Sequence, residues 1–101
     1  MRDPRHFGAM ADELYQRAAP LLEAEIDREI IALDRERGEV FGFNSVASDV
    51  WRLLDEPKTA GDLSRALREI YDVPPERCAE ELDELLKKLV EMQLVARIPA
   101  A

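Results

Sequence analysis

The chain has one cysteine, Cys78, and one histidine, His6. An intramolecular disulfide is therefore excluded, and no Cys/His cluster with zinc spacing can be assembled. Ser45, Ser48 and Ser64 have no histidine near them to act as a base, so a hydrolase triad has no support. Glycine is down to 4 residues, which leaves neither a glycine-rich phosphate loop nor a long flexible linker. No apolar run approaches the roughly 20 residues that cross a bilayer. The opening MRDPRHFGAM holds basic residues with no apolar stretch behind them, unlike a secretory signal, so we expect a cytoplasmic protein. Positive charge is also short: 14 Lys and Arg stand against 22 Asp and Glu, a net charge of −8. Nucleic acids and anionic membranes both reward a positive face. The balance points away from them and towards a protein or peptide partner, especially one carrying Lys or Arg.

What is present reads as one soluble globular domain of 101 residues, 47% hydrophobic and 36% charged. Residues 1–9 read as a disordered lead-in. Met10 to Ala19 holds good helix formers, with Leu14, Tyr15 and Ala18 on one side, and is expected to form a short, marginal helix ended by Pro20. Leu21 to Ile26 and Glu29 to Leu33 are candidate strands, the second rich in β-formers. Asp34 to Gly38 reads as a hairpin loop with Gly38 in the left-handed position, and Val40 to Phe43 as the returning strand.

The period changes at Asn44. From Ser45 on, Val46, Val50, Leu53 and Leu54 recur at helical spacing, and Asn44 is well suited to cap the helix start. A second helix opens at Thr59, with Asp62 completing a capping box that uses the shorter acid. It presents Leu63, Leu67, Ile70 and Tyr71 before a break at Asp72 to Pro75. Pro75 suits the first turn of a third helix, whose apolar stripe is Cys78, Leu82, Leu85, Leu86, Leu89 and Met92. Val95 to Ile98 either adds a short terminal strand or ties the tail down. The fold class follows: α+β, winged-helix-like, with a three-stranded antiparallel β-meander followed by three helices. The expected division is a lead-in over 1–20 and a folded domain over 21–98.

Catalytic chemistry finds no constellation. Cys78 sits on an apolar stripe, as a small buried hydrophobe would. The acids of the third helix alternate around a solvated face, and Trp51 reads as a core anchor. Phe41 and Phe43 leave open which of them faces the core. No metal and no cofactor are expected, and the site must be a binding surface. Two ingredients are at hand. The strand Val40 to Phe43 offers an edge whose unpaired N–H and C=O groups can accept another strand. The third helix can form a wall beside it, so that alternate side chains of a guest reach apolar gaps.

The run FGFNSVASDVWRLLDEPKTAGDLSRALREIYDVPPERCAEELDELLKKLVEMQLV resembles the PqqD-like family, the precursor-recognition domains of ribosomal peptide modification. The resemblance is carried in combination by Phe41-Gly42-Phe43-Asn44 leading into Trp51-Arg52-Leu53-Leu54, then Pro57, Thr59 and Leu63, the Tyr71-Asp72-Val73 break and an acidic third helix ending in Leu94-Val95. Glu29 to Asp34 and Gly38 also fit, so the likeness covers roughly residues 21–96. It implies a non-catalytic chaperone; such domains occur alone or fused to larger enzymes, and this chain reads as free-standing. Such a protein holds the leader segment of a precursor peptide by strand addition and delivers it to modifying enzymes: a leader peptidase and cyclase in lasso-peptide pathways, a radical enzyme in a quinone-cofactor pathway. The lasso type is preferred. The binding residues it implies are Glu39, Val40, Phe41, Gly42 and Phe43 on the strand, and Cys78, Glu81, Leu82, Leu85 and Leu89 on the helix.

Three rival readings stand beside this one. A winged-helix DNA-binding regulator would want a basic recognition helix. Glu76 to Met92 instead holds six acids (Glu76, Glu80, Glu81, Asp83, Glu84, Glu91) against three bases (Arg77, Lys87, Lys88). A carrier protein would want a Ser at a helix start. Ser45 qualifies, but the strand before it does not suit an all-helical carrier. A plain dimerisation module is the third, and homodimerisation stays open beside the peptide-binding reading.

Overall fold

The computed structural model describes residues 13–99. The element order is β1 (Leu14–Arg17), β2 (Leu22–Ile26), β3 (Glu29–Asp34), β4 (Glu39–Gly42), α1 (Ser45–Leu53), β5 (Lys58–Thr59), α2 (Ala60–Ile70), α3 (Pro75–Glu91) and β6 (Val95–Ile98). Among the described residues the architecture is α+β, with three helices and two three-stranded antiparallel sheets, ordered β5-β1-β6 and β2-β3-β4.

The β2-β3-β4 meander follows its sequence pattern closely. β3 alternates, with Ile30, Ala32 and Asp34 buried and the residues between them exposed. β2 and β3 are joined by only two residues, since Ile26 pairs with Glu29. Asp27 and Arg28 both take positive φ, 50° and 70°, the signature of the tight hairpin turn whose twist suits the strands. Between β3 and β4, Gly38 sits at φ 68°, the left-handed position expected of it, and its N–H closes the loop on the Asp34 carbonyl at 2.7 Å.

The helices start where their caps place them. Asn44 accepts a hydrogen bond from the Ala47 N–H at 2.8 Å. Thr59 and Asp62 complete the reciprocal capping box. That bonding, first from the Thr59 backbone and then from its hydroxyl, holds the Asp62 carboxyl below the usual carboxylate range. Pro75 opens α3. The helix ends in a Schellman turn: Gln93 takes φ 64°, Leu94 N–H donates to the Leu89 carbonyl at 3.0 Å and Gln93 N–H to the Val90 carbonyl at 2.9 Å.

Over its described part, the helix expected from Met10 to Ala19 is not formed. Residues 10–12 lie outside the described residues, as do the 1–9 lead-in and His6, and Leu14–Arg17 is strand β1. It lies between β5 and β6, with Leu14 opposite both Thr59 and Ile98 and Arg17 opposite Val95. A helix this short is marginal alone. Ladder bonds to partners more than 40 residues away outweigh its local propensity. Val95–Ile98, left between strand and tail tie, is strand β6.

Trp51 is the hinge of the core. It is 1% exposed, and its indole N–H donates to Glu23 Oε2 at 2.7 Å. Arg17 lies over its ring, 4.6 Å from the centroid, while donating to the Trp51 carbonyl. One aromatic residue thereby joins β1, β2 and α1. Around it Leu54, Leu63, Leu82, Leu86, Leu89 and Leu94 bury their side chains, each stabilising the fold by roughly 1.5–3 kcal/mol.

Candidate functional site

β4 is an edge strand, hydrogen-bonded to β3 on one side only. Its register fixes which backbone groups are free. Phe43 N–H donates to the Ile30 carbonyl at 2.9 Å, and Phe41 stands opposite Ala32. Bonded pairs alternate along an antiparallel ladder, so Val40 and Gly42 turn their N–H and C=O groups away from β3. They offer a short template for another strand.

A buried hydroxyl holds the end of this edge. Ser48, on α1, accepts from Ile30 N–H at 2.9 Å and donates to the Phe43 carbonyl at 3.1 Å. It relays the second bond of this pair, from Ile30 N–H to the Phe43 carbonyl, at the point where the chain leaves the sheet for the helix. Phe43 is 5% exposed, its ring tilted 43° against Trp51 at 5.7 Å between centroids. The open question between the two phenylalanines is thereby resolved. Phe43 belongs to the core, and the half-buried Phe41 borders the site.

Beside the edge lies a groove of about 360 Å³. Val40, Phe41, Gly42, Phe43 and Asn44 form its strand side, and Ala47 lines it from the first turn of α1. Leu85, Lys88 and Leu89 of α3, with Met92 at its C-terminal cap, form the other wall. The arrangement has a row of free main-chain donors and acceptors, an apolar trough next to it, and a single cationic side chain, Lys88, among the lining residues. It can bind an extended chain. Among the described residues no group of three or more His, Cys, Asp or Glu side chains could hold a metal ion.

Six of the ten expected site residues meet at this groove: Val40, Phe41, Gly42, Phe43, Leu85 and Leu89. Four are placed elsewhere. Glu39 is exposed at the head of β4 and pairs with Arg37. Cys78 is buried against α2, where it receives a hydrogen bond from the Ser64 hydroxyl at 3.6 Å. Leu82 is a core residue, and Glu81 is exposed and bound to Arg77 at 3.1 Å. Asn44, Ala47, Lys88 and Met92 line the groove and were not expected there. Met92 belongs to the apolar stripe of α3 that the sequence shows, whereas Lys88 stands in the sequence only as one of the helix's three bases.

The fold and its open edge define a class: an α+β domain presenting one strand of a meander beside the last half of a long helix. The sequence matches the family model of coenzyme PQQ synthesis protein D (PqqD) over residues 29–95, and the chain belongs to that family. No curated protein sequence matches it. Two solved structures are similar. One, described as TbiB1 in complex with the TbiA(beta) leader peptide, is 28% identical with a TM-score of 0.71, over 79% of this chain and 93% of that one. The other, a lasso peptide synthetase B1 complexed with the leader peptide, shares the fold at 24% identity and a TM-score of 0.66, over 81% of this chain and 96% of that one.

Proposed function

We propose that this protein binds, without catalysis, the leader segment of a ribosomally made precursor peptide by strand addition to β4, and delivers it to modifying enzymes. The observation that carries the reading is the pair of outward-turned backbone units at Val40 and Gly42 beside the groove walled by Leu85, Leu89 and Met92. It gains weight from the family and from the leader peptide bound by the similar TbiB1. That likeness favours a lasso-peptide pathway, with a leader peptidase and a cyclase as the enzymes served. The recognition unit spans 21–98, and its place is the cytoplasm, where precursor peptides are made.

Delivery needs a second surface, and the sheet supplies one. Leu22 and Ile26 of β2, Ile31 and Leu33 of β3, and Val40 of β4 stand on the outer face, all exposed. An added guest strand would extend that face. A leader peptidase or other modifying enzyme docking there would touch carrier and cargo together.

The test is binding of a synthetic leader peptide, expected at sub-micromolar to micromolar Kd. Gly42→Pro removes an outward N–H and leaves the β3 ladder intact, and a Cβ at this position meets nothing within 4 Å. Val40→Asp places a charge beside the edge; Val40 is 68% exposed, so the fold tolerates it. Each is expected to weaken binding by about tenfold or more, the proline by removing a hydrogen bond to the guest and the aspartate by setting an unpaired charge beside it. Circular dichroism should stay native. Wild-type affinity in both variants would sink strand addition.

A further inference from the structure

The loop that turns β3 into β4 carries Arg37, whose guanidinium reaches three acceptors. Nε lies 3.1 Å from Asp34 Oδ2, Nη1 donates to Glu39 Oε1 at 3.3 Å, and Nη2 donates to the Met92 carbonyl at 3.1 Å. Asp34 is buried, and its Oδ1 accepts from the Glu36 and Arg37 N–H groups at 3.0 and 3.2 Å. The carboxylate is thus fixed by the loop it closes, and in turn it aims the guanidinium. The acceptor at the far end has its own logic. Met92 ends α3, where the last carbonyls have no donor within the helix. Arg37 supplies one from 55 residues away.

This bond joins the two walls of the groove. Arg37 sits three residues before Val40 on the strand side, and Met92 belongs to the helix side. No other hydrogen bond or ion pair among the described residues ties the β3–β4 loop to α3. We propose that Arg37 is a positioning residue, a strap that fixes the spacing between β4 and the end of α3 and so keeps the groove at the width an incoming strand requires. The proposal rests on the peptide-binding reading and adds a device to it. Arg37 does not line the groove, and all three of its nitrogens are turned to Asp34, Glu39 and Met92, so it acts through Met92 and Asp34 rather than on the guest. A preformed cleft spends less ordering free energy on binding. Without the strap, hairpin and helix end move independently, and only a fraction of molecules hold the competent spacing. Apparent affinity then falls by that fraction.

The population argument gives a kinetic signature that direct contact would not. Loss of a competent fraction lowers the association rate and leaves dissociation unchanged, whereas loss of a contact to the guest speeds dissociation. Arg37→Ala is expected to weaken binding of a synthetic leader peptide about threefold to tenfold, through the association rate, with dissociation within about twofold. Arg37→Lys, still able to reach one acceptor, should recover part of the loss. Hydrogen exchange of the free protein should quicken in Arg37→Ala at residues 35–38 and at Leu89 to Met92, and slow again when peptide is added. An unchanged association rate, or a loss confined to dissociation, overturns the strap. If the wild-type protein binds no leader peptide, the proposed function fails. The strap is then judged on exchange alone: wild-type rates in both segments of the free variant overturn it.

Discussion

A single hydroxyl decides how the edge strand is presented. Ser48 is fully buried, and both of its hydrogen bonds are to backbone groups of the sheet, Ile30 N–H and Phe43 C=O. Alanine would fill nearly the same volume and leave both groups without a partner in a dry place. Leaving buried polar groups unsatisfied costs about 1–3 kcal/mol each, and the two here share one relay. Ser48→Ala is therefore expected to lower the unfolding free energy by about 1–3 kcal/mol in urea titration, with Thr recovering less than Ser because its methyl must be housed as well. The effect should reach function, because Phe43 and Asn44 are the last strand-side residues of the groove. Equal denaturation midpoints for wild type and Ser48→Ala would show that the relay contributes nothing.

At the scale of elements, a polar chain runs across the back of the domain and fixes the helices to the hairpin. Tyr71, which ends α2, donates its hydroxyl to Asp49 Oδ2 on α1 at 2.6 Å. Asp49 also pairs with Arg52 at 3.2 Å, and Arg52 reaches Glu25 of β2 at 2.6 Å and the Arg28 carbonyl in the β2–β3 turn at 3.0 Å. The hydrogen bond to Asp49 raises the Tyr71 pKa above 10.0, helped by burial and by the carboxylate's charge. Since the folded value lies above the unfolded one, this contribution to stability is complete below pH about 10 and is lost as pH rises through the folded value. Tyr15, the other tyrosine, is raised chiefly by burial. A tyrosinate absorbance titration should therefore show both phenols ionising late, and Asp49→Asn should bring one of them back towards the ordinary range. Identical curves for Asp49→Asn and wild type would remove Asp49 as the cause. The same elements show what a sequence makes legible. The helices and the β3–β4 hairpin were readable because their signals are local: Asn44, the Thr59–Asp62 box, Pro75 and Gly38 each act within about one turn of their own position. β1 was not, because Leu14–Arg17 has no alternation of its own, all four residues being half-buried, and is a strand only through Lys58–Thr59 and Val95–Ile98. The edge strand that forms one side of the groove was legible for the same local reason. On the helix half, Leu85 and Leu89 line the groove, while Cys78, Glu81 and Leu82 lie one to two turns before it. Which turn of α3 meets β4 depends on how helix and sheet cross, and no window of sequence contains that.

For the whole molecule, charge and shape pull in opposite directions. The outer face of the β2-β3-β4 sheet gathers five exposed aliphatic residues, Leu22, Ile26, Ile31, Leu33 and Val40. A patch of this kind invites association. Against it stands a net charge of −8, which makes each copy repel the next over a Debye length of about 8 Å at physiological salt. The same field would draw in a guest carrying Lys or Arg. Repulsion should prevail near neutral pH and keep the copies apart. As pH falls towards the isoelectric point near 4.6, the carboxylates neutralise and the apolar face is left unopposed. Sedimentation at fixed protein concentration should then show a monomer at pH 7.5 and a growing associated fraction below about pH 5.5, where carboxylates begin to take up protons. Added salt at pH 7.5 should shift the same equilibrium in the same direction by screening. Ile31→Arg is the discriminating variant. Ile31 is 40% exposed, lies opposite Ala24 and Gly42 on the outer face, and is not part of the groove. A charge there should suppress the low-pH association and leave leader-peptide affinity within about twofold of wild type, as for a surface change outside the site. If Ile31→Arg associates as the wild type does at every pH, the sheet face is not the surface that charge keeps apart.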